Sequence, residues 1–230
     1  NVHNDFFGGS ILERQVLKQE AKKILNNNFL FFFLLFLPAL ITQLCSVSSG
    51  TSDTYNYFIN NFQYKLIENS SISFAFSAVT SLLITSAGLV CIDVFRDKVK
   101  FEKAIPQAFK ILDKGQYFIA FILITVLQVV YVFLWTLLLV VPGIIKSISY
   151  SQAFYIYRDH IDNGNPITYL QAITKSRKLM DGHKMDYFVM ELSFIGWLIL
   201  VPITGGIAAI WVLPYYQLTF CNFYKKTGRK

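Results

Sequence analysis

Residues 117–141 form an almost uninterrupted apolar run, the feature that most limits what this chain can fold into. As an α-helix rising about 1.5 Å per residue, the run spans roughly 37 Å, enough to cross a hydrocarbon core about 30 Å thick. Pro142 removes a backbone donor and Gly143 accepts turn geometry, so we expect the chain to reverse direction there. The sequence therefore predicts a helical hairpin in a bilayer.

The composition is that of a polytopic membrane protein. Of the 230 residues, 54% are hydrophobic and 15% are charged, whereas soluble domains contain about 45–50% apolar and about 25% charged residues. The net charge of +7 comes from short basic blocks between apolar runs, which is typical of cytoplasmic loops, so we expect no nucleic-acid partner. Cys45, Cys91 and Cys221 all lie in apolar runs and are expected to be buried helix residues.

The other apolar runs extend this pattern to an all-α, polytopic membrane helical bundle with about six transmembrane helices. Residues 144–157 carry Lys146, Gln152 and several hydroxyls, so this segment needs surrounding protein or water and could instead be re-entrant. Residues 48–70 are expected to form the longest outside loop. The predicted spans are residues 29–47, 71–92, 117–141, 144–157, 187–202 and 207–224.

Basic amphipathic segments precede the first, third and fifth spans, and we expect them to lie as helices on the membrane surface. The first begins at Ser10, which has capping-box spacing with a later glutamate. The second covers residues 104–112, and the third follows Asn165 as its cap. We assign residues 14–230 to the integral membrane domain and expect residues 1–13 to be a disordered or non-native segment.

The distribution of basic residues predicts the topology. With both termini and the middle charged blocks inside, every Lys and Arg except Lys65 and Lys146 lies on one side, which is the cytoplasmic side by the positive-inside rule. Lys146 then lies near the outer end of the fourth span. A basic helix followed by a hairpin recurs three times, which predicts three parallel hairpin repeats; convergent composition is the alternative.

Polar residues within the spans are the candidates for a ligand site, because ionisable and amide groups in a membrane need a specific partner. Gln128, Gln152 and Gln217 lie near the middle of their spans and can alternatively form hydrogen bonds that join neighbouring helices. Lys146 and Glu191 can instead extend their charged ends to the nearest headgroups. The candidate set for a central polar site is Gln128, Lys146, Tyr150, Gln152, Glu191, Tyr215 and Gln217.

Lys175, Arg177 and Lys178 are expected to face water or headgroups and to contact anionic lipids. The three histidines lie in separate polar segments without metal-ligand spacing. Asp159 and His160 are predicted to lie in a solvated turn. Patterns for phosphate loops, nucleophile elbows and dinucleotide binding are absent, so we expect no metal, no cofactor and no enzymatic activity.

Several segments of the chain together resemble a known family. They are residues 172–184 (AITKSRKLMDGHK), 192–197 (LSFIGW), 141–146 (VPGIIK), the helix from Tyr150 to Tyr157, and the start of the pattern near Arg14. This combination resembles the bacterial integral membrane family known as domain of unknown function nine-seventy-five, which is similar to the membrane domain attached to some glycerophosphodiester phosphodiesterases. The resemblance implies a helical bundle in a bacterial cytoplasmic membrane and supplies no catalytic residues.

Two functions of different classes are compatible with these features. The first is binding or passage of a small amphipathic molecule, a lipid or a short peptide, at a polar centre between the helical repeats. The alternative is a non-catalytic accessory or immunity-type membrane protein that acts through a protein partner or against a membrane-active peptide. Both place a multi-pass chain in contact with anionic headgroups, with both termini in the cytoplasm.

Overall fold

A computed structural model describes the backbone of residues 2–57 and 65–228 and the side chains of residues 14–45, 74–137 and 139–228. Within these ranges the chain forms helices and no β-strand, which confirms the all-α prediction. The helices are α1 (Val2–Asn27), α2 (Phe29–Tyr57), α3 (Lys65–Phe95), α4 (Ala104–Gln107), α5 (Gly115–Leu138), α6 (Val140–Tyr150), α7 (Ala153–Asp162), α8 (Tyr169–Leu179), α9 (Lys184–Leu192), α10 (Ile195–Ile203) and α11 (Ala209–Thr227), with a 3₁₀ turn at Lys110–Leu112.

Three described segments are long and apolar enough to cross a membrane: Phe74–Phe95, Gly115–Leu137 and Lys184–Ile203. A fourth is added if Arg14–Asn27 and Phe29–Cys45, which meet at a bend of 94°, form one broken span. The prediction of a membrane chain with several spanning helices is thus supported, whereas the count of six is not confirmed. The predicted fourth and sixth spans fall on α6, α7 and α11, which are short or carry polar residues.

The chain divides into two compact units. Unit 1 contains Asn1–Lys23, Ile111–Gly196 and Thr219–Lys230, and unit 2 contains Ile24–Lys110 and Trp197–Leu218.

In unit 2, α2 and α3 pack against each other as a helical pair. Thr80 on α3 donates a hydrogen bond from Oγ1 to Oγ1 of Thr42 on α2, at 2.8 Å. At the other end of the pair, the ring of Phe31 meets that of Phe101 edge to face, with centroids 5.3 Å apart. Both helices are longer than predicted. The expected loop over residues 48–70 is helical up to Tyr57 and again from Lys65, because a helix already formed propagates through Ser, Thr and Asn at modest cost; residues 58–64 lie outside the described residues.

The surface helix predicted over residues 104–112 is shorter than expected, because α4 ends at Gln107. The backbone N–H of Phe109 donates to the carbonyl of Pro106 at 3.2 Å, an i→i+3 bond that tightens the end of the helix. Cys45 is a second correction in unit 2, since it is exposed while Cys91 is buried.

In unit 1, α5 and the α6–α7 pair form the predicted hairpin. The reversal lies at Leu139, whose backbone is extended (φ −163°, ψ 143°), and not at Pro142-Gly143. Pro142 belongs to the first turn of α6, where its missing N–H needs no partner, and in one continuous helix its ring would clash with the carbonyl of Leu138. The break therefore precedes the proline.

The two arms of this hairpin run antiparallel along the whole of α5. Near the turn, a Cβ placed on Gly143 would lie only 2.2 Å from Oγ1 of Thr136, so glycine allows the helices to approach closely. At the far end, Tyr117 at the start of α5 donates a hydrogen bond to Asp162 at the end of α7. The two short helices α6 and α7 together therefore match the length of α5.

Helix α8 packs against α5, α6 and α7. Its N-cap is Thr168, which forms a capping box with Gln171, and not Asn165 as predicted. Thr168 Oγ1 accepts from the backbone N–H of Gln171, and the Gln171 side chain accepts from the backbone N–H of Thr168. These two reciprocal bonds outweigh the Asn-Pro signal. Gly182, in the turn that follows α8, has a φ of +78°, a conformation that favours glycine.

Helix α1 begins at Val2 and not at Ser10, since a helix end does not require the predicted capping box when the preceding residues continue the helix. The division of the chain at residue 13 stays a prediction. In unit 1, Arg14 of α1 forms a salt bridge with Asp186 of α9 at 2.9 Å. Asn222 of α11 donates from Nδ2 to Glu20 of α1 at 2.8 Å, so polar contacts connect three helices of the unit.

Candidate functional site

A cavity of about 420 Å³ lies between α5, α6 and α8 in unit 1. One wall is aromatic, a second is aliphatic, and two basic side chains complete the lining. The lining residues are Tyr131 and Trp135 from α5, Lys146 and Tyr150 from α6, and Leu170, Ile173, Thr174 and Arg177 from α8.

Helical periodicity brings these side chains to one place. Each contributing residue of α5 and of α6 lies four positions from its neighbour in the lining, and those of α8 are spaced at i, i+3, i+4 and i+7. Residues at these spacings share one face of an α-helix. Each of the three helices therefore presents a continuous stripe to the cavity.

The aromatic wall is held by contacts across the α5–α6 hairpin. The rings of Tyr131 and Tyr150 have centroids 6.0 Å apart. Gln128 donates from Nε2 to the carbonyl of Tyr150 at 2.6 Å, so this predicted ligand residue instead joins the two helices, in agreement with its alternative as interhelical glue. Lys146 Nζ lies 4.3 Å from the centroid of the Trp135 ring, which is within the range of a cation–π interaction.

Helix α8 is positioned by buried hydrogen bonds at the break between α6 and α7. Ser176, which is fully buried, donates from Oγ to the carbonyl of Ser149 at 2.8 Å and accepts from the backbone N–H of Gln152 at 3.2 Å. Arg177 follows Ser176 directly in the chain. The bonds that anchor α8 therefore also fix the basic residue at the edge of the cavity.

Gln152 is 2% exposed, and its Nε2 donates to Oγ of Ser151 at 2.9 Å. Its Oε1 has no hydrogen-bond partner among the described residues. The sequence placed Gln152 in a ligand site, whereas its backbone and side chain lie at the α6–α7 break next to the anchor of α8.

The structure corrects the expected separation of Lys146 and Arg177. The topology argument placed them near opposite membrane faces, but both line a single cavity of about 420 Å³, far smaller than a hydrocarbon core about 30 Å thick. Helix α8 packs its lining stripe against α5 and α6, and its location on the membrane surface stays a prediction. The contact of Arg177 with anionic headgroups stays a prediction.

The other predicted site residues lie elsewhere in the fold. Glu191 is half-buried on α9. Tyr215 and Gln217 lie on α11 within unit 2, where both are buried; the Tyr215 ring packs on Trp211, with centroids 4.9 Å apart. The polar centre shared by Tyr215, Gln217 and the residues of unit 1 stays a prediction.

Lys175 and Lys178 are exposed on α8, as expected. Lys175 Nζ lies 2.6 Å from Nε2 of His160, and Nδ1 of His160 lies 2.9 Å from the carbonyl of Ile156. The predicted solvated turn at residues 159–160 is wrong, because α7 continues to Asp162. Its helical hydrogen bonds extend the element past the histidine, and the turn begins only at the following residues.

Sequence reasoning missed five of the lining residues, which are Tyr131, Trp135, Leu170, Ile173 and Thr174. A signal existed in the i, i+4 spacing of the two aromatic residues on α5. The same spacing is equally typical of a lipid-facing stripe, so it could identify the cavity only once the position of α8 was known.

A charged cluster closes the opposite end of the hairpin. Asp162 accepts hydrogen bonds from Tyr117 and from Nε of Arg158, the latter at 3.1 Å, and Lys114 Nζ lies 3.5 Å from its Oδ1. Partial burial acts to raise the pKa of Asp162, but the bond from Tyr117 and the charges of Arg158 and Lys114 outweigh it and hold the pKa below its ordinary value. The hydrogen bond with Tyr117 raises the pKa of Lys114.

These features define an α-helical membrane chain with a cationic and aromatic cavity in one of its units. Within the described ranges, no three His, Cys, Asp or Glu side chains converge as metal ligands do.

Residues 129–230 match the model of a family described as "Protein of unknown function (DUF975)". The matched region contains every residue that lines the cavity. The resemblance noted in the sequence is thus supported for this part of the chain, and the similarity to membrane domains of glycerophosphodiester phosphodiesterases stays a prediction. No curated protein matches the chain, and no solved structure does.

Proposed function

We propose that this chain is a non-catalytic integral membrane protein that binds a small amphipathic molecule, a lipid or a short peptide, in the cavity between α5, α6 and α8. The observation that carries the proposal is the lining itself, in which aromatic and aliphatic side chains lie beside two cations. An amphipathic ligand has the matching combination of an apolar part and a polar head.

The size and composition of the cavity support this proposal. Binding sites for small ligands are usually clefts of about 300–1,000 Å³ lined mainly by apolar and aromatic residues with a few polar groups. This cavity has a volume of about 420 Å³. Tyr150 and Ile173 are buried in its wall, whereas Thr174 and Arg177 are exposed at its edge, so a ligand can enter from the side of α8.

The finer topology belongs to the same proposal. Six crossings in three parallel hairpins, with both termini in the bacterial cytoplasm, are supported by the one-sided distribution of the Lys and Arg residues outside the cavity. In this arrangement α8 folds back beside the α5–α6 hairpin. Its exposed basic residues then need water or protein around them, because lipid would leave their charges unsolvated.

Single cysteines in a cysteine-free variant test the topology. Leu139→Cys and Asn163→Cys both lie at exposed turns of the hairpin. A membrane-impermeant maleimide should label the cysteine at 139 in intact cells and the cysteine at 163 only after permeabilisation. The reverse pattern would mean that the hairpin is inverted.

A cavity-filling substitution tests ligand binding. Thr174→Trp places a large side chain at the exposed edge of the cavity, and Lys178→Trp places the same side chain at an exposed position of α8 that does not line it. Native mass spectrometry of protein purified in mild detergent should show a stoichiometric small molecule in the wild type and in Lys178→Trp. It should be lost in Thr174→Trp. Equal retention in all three proteins would contradict the assignment of the cavity.

The same measurement addresses the alternative function. An accessory or immunity-type protein should copurify with a stoichiometric protein or peptide that is retained in Thr174→Trp. Passage of the ligand across the membrane is tested separately, by measuring its flux across proteoliposomes. Flux requires that the cavity open to both sides of the membrane, whereas binding does not.

A further inference from the structure

Two cations, Lys146 and Arg177, line the cavity. Within the part of the chain that the structure describes, no carboxylate lies within salt-bridge distance of Lys146 or Arg177. None of the lining side chains is an Asp or a Glu. Lys146 is half-buried and Arg177 is exposed at the edge, and two like charges that line one cavity give it a positive potential, which favours an anion.

Other basic residues of the same unit behave differently. Arg14 pairs with Asp186, and Arg158 pairs with Asp162. Lys114 and Lys184 also lie within 4 Å of aspartate oxygens. Lys146 and Arg177 therefore differ from these four basic residues of the unit, each of which lies next to an aspartate.

The two cations are also suited to one anionic group. The contact with the Trp135 ring holds the Lys146 ammonium at the cavity wall without neutralising its charge. The Arg177 guanidinium offers a planar pair of donors that matches phosphate or carboxylate oxygens. A tetrahedral phosphate can accept from both side chains at once, because it presents oxygens in several directions.

The other residues of the lining favour an amphiphile over a free anion as the ligand. Leu170 and Ile173 provide an aliphatic wall, and Tyr131 and Tyr150 an aromatic one. Free inorganic phosphate would leave these surfaces without a partner, whereas an acyl chain buries apolar area against them. Helix α5, which forms one side of the cavity, is apolar enough to span the bilayer. Lipid would therefore surround the helix that lines the cavity.

We propose that the cavity binds the phosphate headgroup of an anionic lipid, with Lys146 and Arg177 as its two contacts and the aromatic and aliphatic walls receiving the adjoining apolar part. This inference rests on the proposed function, since it names the class of amphiphile that the same cavity takes.

Competition between lipids tests the inference. The protein is reconstituted in nanodiscs of phosphatidylcholine with or without phosphatidylglycerol, extracted in mild detergent, and its retained lipids are identified by native mass spectrometry. The variants are Lys146→Gln, Arg177→Gln and the double substitution. Lys23→Gln is the matched control, because it removes one exposed charge from α1 in the same unit, outside the lining. Thermal unfolding of each variant is recorded. If Arg177→Gln does not fold, Arg177→Lys, which keeps the charge but removes the planar pair of donors, is used in its place.

The wild type should retain phosphatidylglycerol in preference to phosphatidylcholine. Each neutral substitution should lower that preference about tenfold, the size expected for one hydrogen bond to a charged group, and Lys23→Gln should not. Inorganic phosphate at millimolar concentration should compete only weakly; complete displacement would assign the site to a free anion.

The outcomes separate the two proposals. Equal retention of both lipids, with loss of both in Thr174→Trp, would overturn the anionic inference and leave the binding function standing. An equal effect of Lys23→Gln would overturn the inference and assign the selectivity to general surface charge. Retention of neither lipid nor any other small molecule would contradict the proposed function itself.

Discussion

Lys146 and Trp135 face each other across the turn of the α5–α6 hairpin, with the ammonium nitrogen 4.3 Å from the centre of the indole ring. The aromatic face attracts the cation without supplying a negative charge. Lys146 therefore keeps a fixed place at the wall of the cavity while remaining able to pair with an anion.

Trp135→Leu should weaken ligand binding by removing this contact while keeping an apolar side chain. A cation–π contact at an exposed site is worth about 0.5–1 kcal/mol, which corresponds to a loss of roughly two- to fivefold in affinity. Lipid titration in detergent measures it. The control is Phe133→Leu, an exposed aromatic residue of α5 that does not line the cavity; an equal loss in both variants would refute a specific role for Trp135.

Gly143→Ala should destabilise the protein, because its Cβ would lie 2.2 Å from Oγ1 of Thr136. Overpacking of this kind typically costs about 1–3 kcal/mol. Thermal unfolding in detergent should show the loss, and the added substitution Thr136→Ala should restore part of it. Gly196→Ala is the control, since a Cβ at that position would have nothing within 4 Å. No change in Gly143→Ala would mean that the helices do not approach this closely.

Ser176→Ala should loosen α8, because it leaves the carbonyl of Ser149 and the N–H of Gln152 without their buried partner. An unsatisfied buried polar group costs about 1–3 kcal/mol. Hydrogen exchange should increase in α8 more than in α5. Lys178→Ala, on the exposed side of the same helix, should leave exchange unchanged, and a uniform increase throughout the unit would contradict an anchoring role for Ser176.

Asp162 should make stability depend on pH in the acid range. Its pKa is held below the ordinary value in the folded state, so its stabilising contribution is complete above the unfolded pKa of about 3.9 and is lost as the pH falls through the lower folded pKa. Asp162→Asn should flatten the acid limb of a plot of melting temperature against pH. Asp181→Asn, an exposed aspartate, is the control. An unchanged acid limb in Asp162→Asn would show that the cluster does not contribute.

The helical class and the hairpin could be predicted because their signals are local. A long apolar run before Pro142 is sufficient to indicate a helix and a reversal, although the clash of the proline ring with an upstream carbonyl moves the break to Leu139. The α8 cap was misplaced because two cap signals lie close together and only Thr168 forms the reciprocal bond.

The cavity could not be predicted because it depends on contacts between distant parts of the chain. Ser176 reaches Ser149 across 27 positions, and no periodicity within either helix reports that contact. Counting charges along the chain placed Lys146 and Arg177 on opposite sides, since such a count does not register that α8 folds back beside α6. Tyr150 was found as a polar residue in an apolar run, whereas Trp135 resembled any aromatic residue near a membrane interface.

Photolabelling with peptide mapping tests the central claim most directly. A phosphatidylglycerol analogue with a photoreactive group near its headgroup is crosslinked to the reconstituted protein, and the labelled residues are identified by mass spectrometry. The account predicts labels concentrated on the α5 and α8 segments that contain Tyr131, Trp135 and Ile173, and their loss in Thr174→Trp. Labels spread evenly along the exposed face of α5, unchanged by that substitution, would show that the protein contacts bulk lipid and has no ligand site in this cavity.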